Sequence, residues 1–368
     1  MNNFNLRLIP NVWSSYLFLG ICLVFGLGIS LVSNNIFLVW LGLELNMFGI
    51  IPLLNSSPNQ TNNILFLTTG EINVSFFYFF VQVIGSLFFA WGSILGGWFI
   101  ISMIGLIIKI GAAPFFWWVP PVITRLDWFS IGIISTIQKV PGIFLFRLLF
   151  DLNLSICLIL GIIGFTISVI GINFSFNNLK QLIAWSSISN MSILFVLIML
   201  NNSFGLIYYL FYSVLVLLFC FLLNLFSENI VCGSFLNGNY NSYNILVGST
   251  LLIFSGLPPF VSFFLKIYFL SGFYFFDCVN MLLDIELNGT SISIFHLVGN
   301  ALNSWNIVII FIILIVFQSV GYVKAFINLS TTGSSRLYSS SNDVNNKVKL
   351  FYLYIFLIYL LSIFLAFN

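Results

Sequence analysis

Five ionisable side chains stand in or beside long apolar stretches of this 368-residue chain. They are Glu44, Lys109, Lys139, Lys266 and, at the edge of an apolar stretch, Lys180. An ionised side chain at bilayer depth costs several kcal/mol, so such residues usually pair with each other, meet water or move charge. These residues are therefore the first candidates for chemistry, and the chemistry that they indicate is the transfer of protons or ions.

The composition is that of a membrane protein. Hydrophobic residues make up 60% of the chain, aromatic residues 18% and charged residues only 5%, which is too few to cover the surface of a soluble protein. Many apolar windows of about 20 residues follow one another, each long enough to cross a hydrocarbon core of about 30 Å. We therefore predict an all-α polytopic membrane protein, with residues 1–368 forming a single membrane domain.

The remaining composition argues against several classes of partner and cofactor. A net charge of +2 and the absence of a basic run predict no nucleic-acid partner. The five cysteines form no C-x-x-C pair, and a single histidine is present. No glycine-rich phosphate loop or nucleophile elbow is found. We therefore expect neither a metal nor a cofactor site in this chain, and no covalent or redox chemistry.

Apolar runs and polar breaks predict about eleven transmembrane helices. This odd number places the termini on opposite sides of the membrane. Basic residues then collect on the N-terminal side, and the acidic loop with Asp277, Asp284 and Glu286 falls on the other side. The positive-inside tendency predicts that the N-terminus faces the cytoplasm or the mitochondrial matrix. The predicted spans are 16–33, 36–54, 74–91, 93–119, 128–150, 154–173, 179–200, 203–226, 244–272, 304–328 and 350–367.

Prolines interrupt the fourth and the ninth predicted spans in a similar way. Pro114, Pro120 and Pro121 follow Lys109, while Pro258 and Pro259 precede Lys266. Proline removes a backbone hydrogen bond, so its freed carbonyl needs a neighbour or water at membrane depth. The two breaks lie five spans apart, as in inverted repeats of ion-translocating folds. We predict two inverted five-helix repeats with broken helices, residues 16–150 and 154–328, followed by a C-terminal helix at 350–367.

Each charged position has two interpretations. Glu44 is either a proton relay or one half of a structural ion pair, with Lys109 as its obvious partner. Lys139, beside Gln138 and Pro141, is either a relay whose proton occupancy depends on its neighbours or a lysine that snorkels to the interface. The same two interpretations hold for Lys266, which lies nearer a helix end. The positive-inside tendency explains Lys180 at least as well as a function does.

Five runs follow one another along the chain: Trp40–Asn46, Lys109–Pro120, Gln138–Pro141, Ala184–Met191 and Gly256–Pro259. In this order they resemble the subunit 2 family of mitochondrial respiratory complex I, the NADH:ubiquinone oxidoreductase. Members of this family are antiporter-like subunits of the proton-pumping arm. The resemblance covers about residues 40–266, and the rest matches by hydropathy alone.

The resemblance implies a role for each charged residue. Glu44 and Lys109 would form the coupling ion pair of the first repeat, Lys139 would be the central relay, and Lys266 would lie on the second broken helix. The secondary site residues would be Lys180, Gln138, Pro114, Pro258 and Pro259. NADH, FMN, iron–sulfur clusters and ubiquinone would be held by other subunits of the complex. The chain would be an obligate hetero-oligomer with other membrane-arm subunits, surrounded by lipids of the mitochondrial inner membrane or of a bacterial plasma membrane.

The chain differs from the family pattern at a few polar positions. Phe116 and Asn190 stand where the family usually has histidines, Pro121 replaces an acidic residue, and Gln181 replaces a lysine. The lysines and Glu44 are present, so proton pumping is the first expected function. Two other functions stay open: a subunit of a multi-subunit Na+/H+ antiporter, and a scaffold subunit whose proton path is broken.

Overall fold

The described part of the chain consists of α-helices and the turns that connect them, and no strand occurs there. The computed structural model describes residues 9–55, 74–94, 99–149, 154–200, 202–231, 248, 250–257, 260–286 and 304–333. The helices group into two compact units, Met1–Asp151 and Leu152–Asn368. The predicted all-α membrane fold is confirmed.

The first unit surrounds the helix that carries Glu44. Helix α2 packs between α1 and α3, and α4 packs against both α3 and α7. The helices of this unit are α1 (Ile9–Val32), α2 (Ile36–Asn55), α3 (Val74–Ile94), α4 (Phe99–Ile110), α5 (Val119–Arg125), α6 (Trp128–Ser135) and α7 (Lys139–Leu149).

Glycines let α1 and α2 cross at backbone contact. A Cβ atom on Gly42 would lie 2.7 Å from the backbone nitrogen of Ser30 and 2.9 Å from the carbonyl oxygen of Gly26. Inside a membrane, helices associate through such close packing, because lipid tails are as apolar as the side chains. A second approach of this kind joins α3 and α4, where a Cβ on Gly105 would meet the Gly85 carbonyl. These crossings fix the two helices that carry Glu44 and Lys109.

The second unit is organised around α9, most of whose residues are buried. This helix packs against α8, α10 and α11, while α12 packs against α8 and α11. The ring of Phe311 on α12 contacts the rings of Phe165 on α8 and of Phe269 and Phe273 on α11, in tilted or edge-to-face arrangements. The helices are α8 (Leu154–Phe174), α9 (Leu179–Leu200), α10 (Asn202–Val231), α11 (Val261–Glu286) and α12 (Ser304–Gly333), and residues 250–255 are also helical.

By length and composition, five segments in the described ranges are long and apolar enough to cross a membrane. The predicted span 350–367 lies outside the described residues, so the number of eleven helices stays a prediction. The assignment of residues 16–150 and 154–328 as inverted repeats also stays a prediction. The five segments are Val74–Ile94, Trp128–Phe146, Leu179–Ile198, Gly205–Asn224 and Ile307–Asn328.

Three predicted spans are interrupted, one more than expected. The fourth breaks between Ile110 and Val119, and the ninth breaks after residue 255. Gly111 and Gly256 have φ angles of 71° and 76° at these two breaks, a left-handed conformation that favours glycine. The span predicted as continuous over 128–150 is divided as well, because residues 136–138 form a turn between α6 and α7.

Candidate functional site

The first broken helix presents Lys109 in the last turn of α4, where the regular helical hydrogen-bond pattern ends. The indole Nε1 of Trp118 donates a hydrogen bond to the Ile108 carbonyl at 3.0 Å. The Nε2 atom of Gln82, on α3, donates to the Lys109 carbonyl at 3.2 Å. Buried carbonyls at membrane depth need such donors. The break is therefore stabilised by protein side chains, and Lys109 is fixed at its edge.

Glu44 and Lys109 lie together in the first unit. The distance from Lys109 Nζ to Glu44 Oε1 is 3.7 Å, and the two side chains are 7% and 14% exposed. Glu44 Oε1 makes no hydrogen bond to the described residues, and its attraction to Lys109 Nζ is therefore mainly that of opposite charges. The absence of a side chain at Gly85 leaves room for the lysine, because a Cβ there would lie 2.9 Å from Lys109 Cγ.

A pair of amide contacts joins the helix of Glu44 to the turn that precedes Lys139. Asn46 Nδ2 donates to Gln138 Oε1 at 3.2 Å, and Gln138 Nε2 donates to the Asn46 carbonyl at 3.1 Å. Asn46 lies two positions after Glu44 on α2. Gln138 thus ties the interruption of the fifth span to the neighbourhood of the ion pair.

Lys139 is the first residue of α7, and only 2% of it is exposed. Its backbone nitrogen donates to the Thr136 carbonyl at 3.0 Å, which closes the turn. Its Nζ atom has no hydrogen-bond partner among the described residues. A buried ammonium without an acceptor is costly. The charge state of Lys139 therefore depends on whether water or another polar group reaches it.

Lys266 lies on α11 in the second unit and is held in a different way. Its Nζ atom donates to the Ser255 carbonyl at 2.8 Å, and the lysine is 6% exposed. The Ser262 hydroxyl donates to the Ile253 carbonyl, and the Ser255 hydroxyl donates to the Leu252 carbonyl. Lys266 thus serves as the hydrogen-bond donor at the second break, the part that Gln82 and Trp118 have at the first.

The secondary positions are placed as follows. Pro114 lies in the connection between α4 and α5, and Pro258 and Pro259 lie outside the described residues. Lys180 and Gln181 lie in the first turn of α9, and Lys180 is partly buried. In the described part of the chain, no group of histidine, cysteine and acidic residues has the arrangement of a metal site.

The residues that depart from the family pattern also lie in the described part of the chain. Asn190 accepts a hydrogen bond from the hydroxyl of Tyr208 at 2.7 Å and is thus part of a polar contact between α9 and α10. Phe116 lies in the connection after α4, and Pro121 lies in the first turn of α5, where proline is well tolerated.

Sequence reasoning missed the residues that hold the lysines. Gln82 is a polar residue in the middle of the apolar helix α3, and that isolation is a usable signal. Asn46 belongs to the run Trp40–Asn46, which resembles the family, but no role was predicted for it. The acceptor of Lys266 is a backbone carbonyl, which leaves no mark in a sequence beyond the nearby glycine and prolines.

Known proteins are similar to this chain over the region that contains the three buried lysines. A family described as the transmembrane region of NADH:quinone oxidoreductases and Mrp antiporters matches residues 91–285, which include Lys109, Lys139 and Lys266. The chain belongs to this family. A relative from Dasypus novemcinctus, NADH-ubiquinone oxidoreductase chain 2, is 30% identical over 259 residues, which are 64% of this chain and 70% of the relative.

Solved structures of the family share the fold. A chain of respiratory complex I from Thermus thermophilus superposes with a TM-score of 0.64 at 16% identity, over 95% of this chain and 78% of that one. A chain of the Mrp complex from Dietzia sp. gives a TM-score of 0.63 at 12% identity, over 88% and 61%. At such low identity the likeness supports the antiporter-like helical fold, which agrees with the family assignment.

Proposed function

We propose that this chain is a proton-translocating, antiporter-like subunit of the membrane arm of NADH:ubiquinone oxidoreductase. The observation that carries this proposal is the set of three buried lysines at helix interruptions: Lys109 paired with Glu44, Lys139 without a partner in the described residues, and Lys266 on a freed carbonyl. Buried charges in membrane helices usually mark ion pathways. The chain 2 relative supports this assignment.

The Glu44–Lys109 pair suits a role in coupling, because the opposing energies are of similar size. Two unit charges about 4 Å apart attract by about 4 kcal/mol at an effective dielectric constant of about 20. Burying each ion costs several kcal/mol. The free energies of the separated and the paired arrangements therefore differ by only a small amount. A small displacement of α2 or α4 can therefore change whether these side chains carry their charges.

The proposed sequence of steps needs only protons. When Glu44 moves away or accepts a proton, Lys109 loses its counter-charge and passes a proton towards Lys139. Lys139 holds this proton until the proton reaches the next acceptor. Lys266 has the corresponding role of carrying a proton in the second unit. Each charge moved against about 100 mV costs about 2.3 kcal/mol, which is within the range of these pair energies.

The redox chemistry belongs elsewhere in this proposal. NADH, FMN, iron–sulfur clusters and ubiquinone are held by other subunits, and this chain contributes the translocation part of a translocase. Its partners are the other membrane-arm subunits, in the mitochondrial inner membrane with the N-terminus in the matrix. The names of the relatives, rather than a site in this chain, support that setting.

The test is Lys139→Met in the intact complex, with NADH-driven proton pumping, quinone reduction and assembly measured together. Normal assembly with loss of both activities is expected, because the apolar side chain fills the space without carrying a proton. Lys324→Met is the control, since Lys324 is an exposed lysine of α12. Unchanged pumping per electron in Lys139→Met would instead favour the scaffold function.

The second candidate is a subunit of a multi-subunit Na+/H+ antiporter. The family matched by residues 91–285 includes Mrp antiporters, and this is the observation that favours it. The two functions differ in their driving force. Proton movement driven by a sodium gradient in the absence of NADH would support the antiporter, whereas the first proposal expects none.

A further inference from the structure

Two hydrogen bonds join the helix of Glu44 to the residue that precedes Lys139. Gln138 Nε2 donates to the backbone carbonyl of Asn46 at 3.1 Å, and Asn46 Nδ2 donates to Gln138 Oε1 at 3.2 Å. Asn46 is 1% exposed, and Gln138 is partly buried. We refer to these two hydrogen bonds together as the Asn46–Gln138 link.

The backbone determines the orientation of both amides in the link. The Asn46 carbonyl can only accept a hydrogen bond, so Gln138 must present its NH2 group to that carbonyl. Gln138 Oε1 then faces the side chain of Asn46, which must present its own NH2 group. The two side chains therefore fit together in one orientation only, and the link defines one relative position of α2 and Gln138.

The end of the link on α2 is held against α1. A Cβ atom on Gly26 would lie 2.6 Å from the backbone nitrogen of Asn46 and 3.0 Å from its Cα atom. Backbone thus packs directly on backbone at this position, which is how membrane helices associate closely. Glu44 lies two residues earlier on the same helix. A displacement of the helix that carries Glu44 therefore also displaces the Asn46 carbonyl.

The other end of the link lies at the interruption between α6 and α7. The backbone nitrogen of Gln138 donates to the Ile133 carbonyl, and that of Lys139 donates to the Thr136 carbonyl, so the regular helical pattern stops here. An unbroken helix would transmit the direction of α6 to α7, whereas this turn does not. Gln138 therefore gives the first turn of α7 an attachment outside α6.

Helix α7 also contacts the end of α4 that carries Lys109. A Cβ atom on Gly142 would lie 2.6 Å from Cγ1 of Ile110, the residue that follows Lys109. Gly142 lies three residues after Lys139 on α7. Helix α7 is thus attached to both helices of the Glu44–Lys109 pair, to α2 by hydrogen bonds and to α4 by close packing.

We propose that Asn46 and Gln138 are positioning residues, which transmit a change in the spacing of α2 and α4 to Lys139. This inference rests on the proposed function, in which the Glu44–Lys109 pair and Lys139 act in succession. When the pair separates, the link makes the first turn of α7 follow α2, so Lys139 changes its position relative to α4. No covalent bond changes, and neither amide ionises.

The first test measures proton pumping per assembled complex in Asn46→Leu, Gln138→Met and the double variant, whose new side chains have about the shapes of the amides that they replace. Gln138→Met removes both hydrogen bonds, whereas Asn46→Leu removes one, because the Asn46 carbonyl remains. We expect several-fold slower pumping in Asn46→Leu and about tenfold slower pumping in Gln138→Met. The double variant should equal Gln138→Met, since no bond of the link is left to lose.

The matched control is Asn173→Leu. Asn173 of α8 donates through Nδ2 to the Phe317 carbonyl of α12 at 3.2 Å, so it also joins a side-chain amide to the backbone of another helix. It belongs to the second unit, and we expect it to pump normally per assembled complex. A purely structural role for the Asn46–Gln138 link would give its variants the same behaviour, with less complex and unchanged pumping per complex. That result would overturn the proposal.

The second test observes the transmission itself in maps of the intact complex. In Glu44→Gln, which breaks the ion pair, Lys139 should shift relative to α4. In Glu44→Gln combined with Gln138→Met this shift should be lost, because α7 no longer follows α2. If the combined variant does not assemble, Glu44→Gln combined with Asn46→Leu, which keeps one bond of the link, should show a smaller shift. An equal shift with and without the link, or no shift in Glu44→Gln, would overturn the proposal.

The variants also separate this proposal from the proposed function. If Lys139→Met abolishes pumping while Asn46→Leu and Gln138→Met pump normally, the proposed function stands and the role of the link is wrong. If Lys139→Met itself pumps normally, the proposed function fails, and the link has no relay to position.

Discussion

At the scale of single residues, the contact between Glu44 and Lys109 depends on both partners keeping their charge. Their 3.7 Å separation is longer than a hydrogen bond, and Glu44 Oε1 has no other partner in the described residues. Removing one member of a buried pair leaves an uncompensated charge, which costs about 3–5 kcal/mol. The pair should therefore behave as a unit in mutational experiments.

We expect Glu44→Gln to lower the amount of assembled complex and to abolish pumping, because Lys109 then lacks its counter-charge. Adding Lys109→Met should restore assembly without restoring pumping, since no buried charge is left to stabilise or to move. Native gel analysis and pumping assays of both variants provide the measurement. Glu44→Gln with assembly and pumping like the unaltered chain would show that the pair has neither role.

The absence of a side chain at Gly256 leaves room for the side chain of Lys266. A Cβ atom there would lie 2.8 Å from Lys266 Cε, and alanine at a φ of 76° costs about 1–2 kcal/mol. Gly256→Ala should push the lysine from the Ser255 carbonyl, a charge-assisted hydrogen bond worth about 1.5–3 kcal/mol. We expect proton pumping to be at least roughly tenfold slower, because a loss of about 1.4 kcal/mol of stabilisation corresponds to a factor of ten.

The matched control is Gly272→Ala on the same helix as Lys266. The nearest atoms to its added Cβ are methyl carbons of two leucine side chains, the closer at 3.1 Å, which can shift. Pumping measured per assembled complex should be unchanged in this variant. Equal pumping by the Gly256 and Gly272 variants would contradict a positioning role for Gly256.

Sequence alone indicated the charged residues because a lysine or glutamate is conspicuous in an apolar run. It did not indicate the hydrogen bond from Gln318 to Ser189, since an amide is an ordinary helix–helix contact. Only the spatial arrangement of α9 and α12 brings these two side chains together.

At the scale of helices, the position of Glu44 depends on the crossing of α1 and α2. Gly42→Val should separate these helices, because the added atoms meet the backbone of Ser30 and Gly26, which cannot turn aside. Overpacking of this kind costs typically about 1–3 kcal/mol. We expect a lower melting temperature and less assembled complex. Gly28→Val is the control, since no atom lies within 4 Å of its added Cβ. Equal stability of the two variants would disprove the role of the crossing.

The interruptions show which features of a helix can be predicted from prolines. The breaks after Lys109 and before Lys266 were predicted, because several prolines and a glycine stand together. The break at 136–138 was not predicted, although Pro141 had been noticed. Pro141 lies in the first turn of α7, where its missing N–H is not needed, so it is compatible with a helix that starts at Lys139. The turn itself is stabilised by Gln138 and Asn46, a contact between residues distant in sequence.

At the scale of the whole molecule, the orientation in the membrane remains a prediction from the distribution of charges. An epitope at the N-terminus should be protected from protease in intact inner-membrane vesicles with the native orientation, and cleaved in inverted ones. The structure places Asp277, Asp284 and Glu286 in the last turns of α11 and not in a loop, because the helix continues to Glu286. An epitope inserted in residues 287–303, directly after this acidic helix end, should show the opposite behaviour. Both segments lie outside the described residues, so this experiment tests the positive-inside argument by itself.

The two compact units hold their buried lysines by different means. A carbonyl accepts an N–H from a neutral amine as well as from an ammonium, so Lys266 can stay in place on Ser255 whichever form it has. The Glu44–Lys109 attraction disappears as soon as one partner becomes neutral. If a proton reaches each site, as the proposed function requires, we therefore expect the spacing of α2 and α4 to change in residues 1–151 and the second break in residues 152–368 to stay in position.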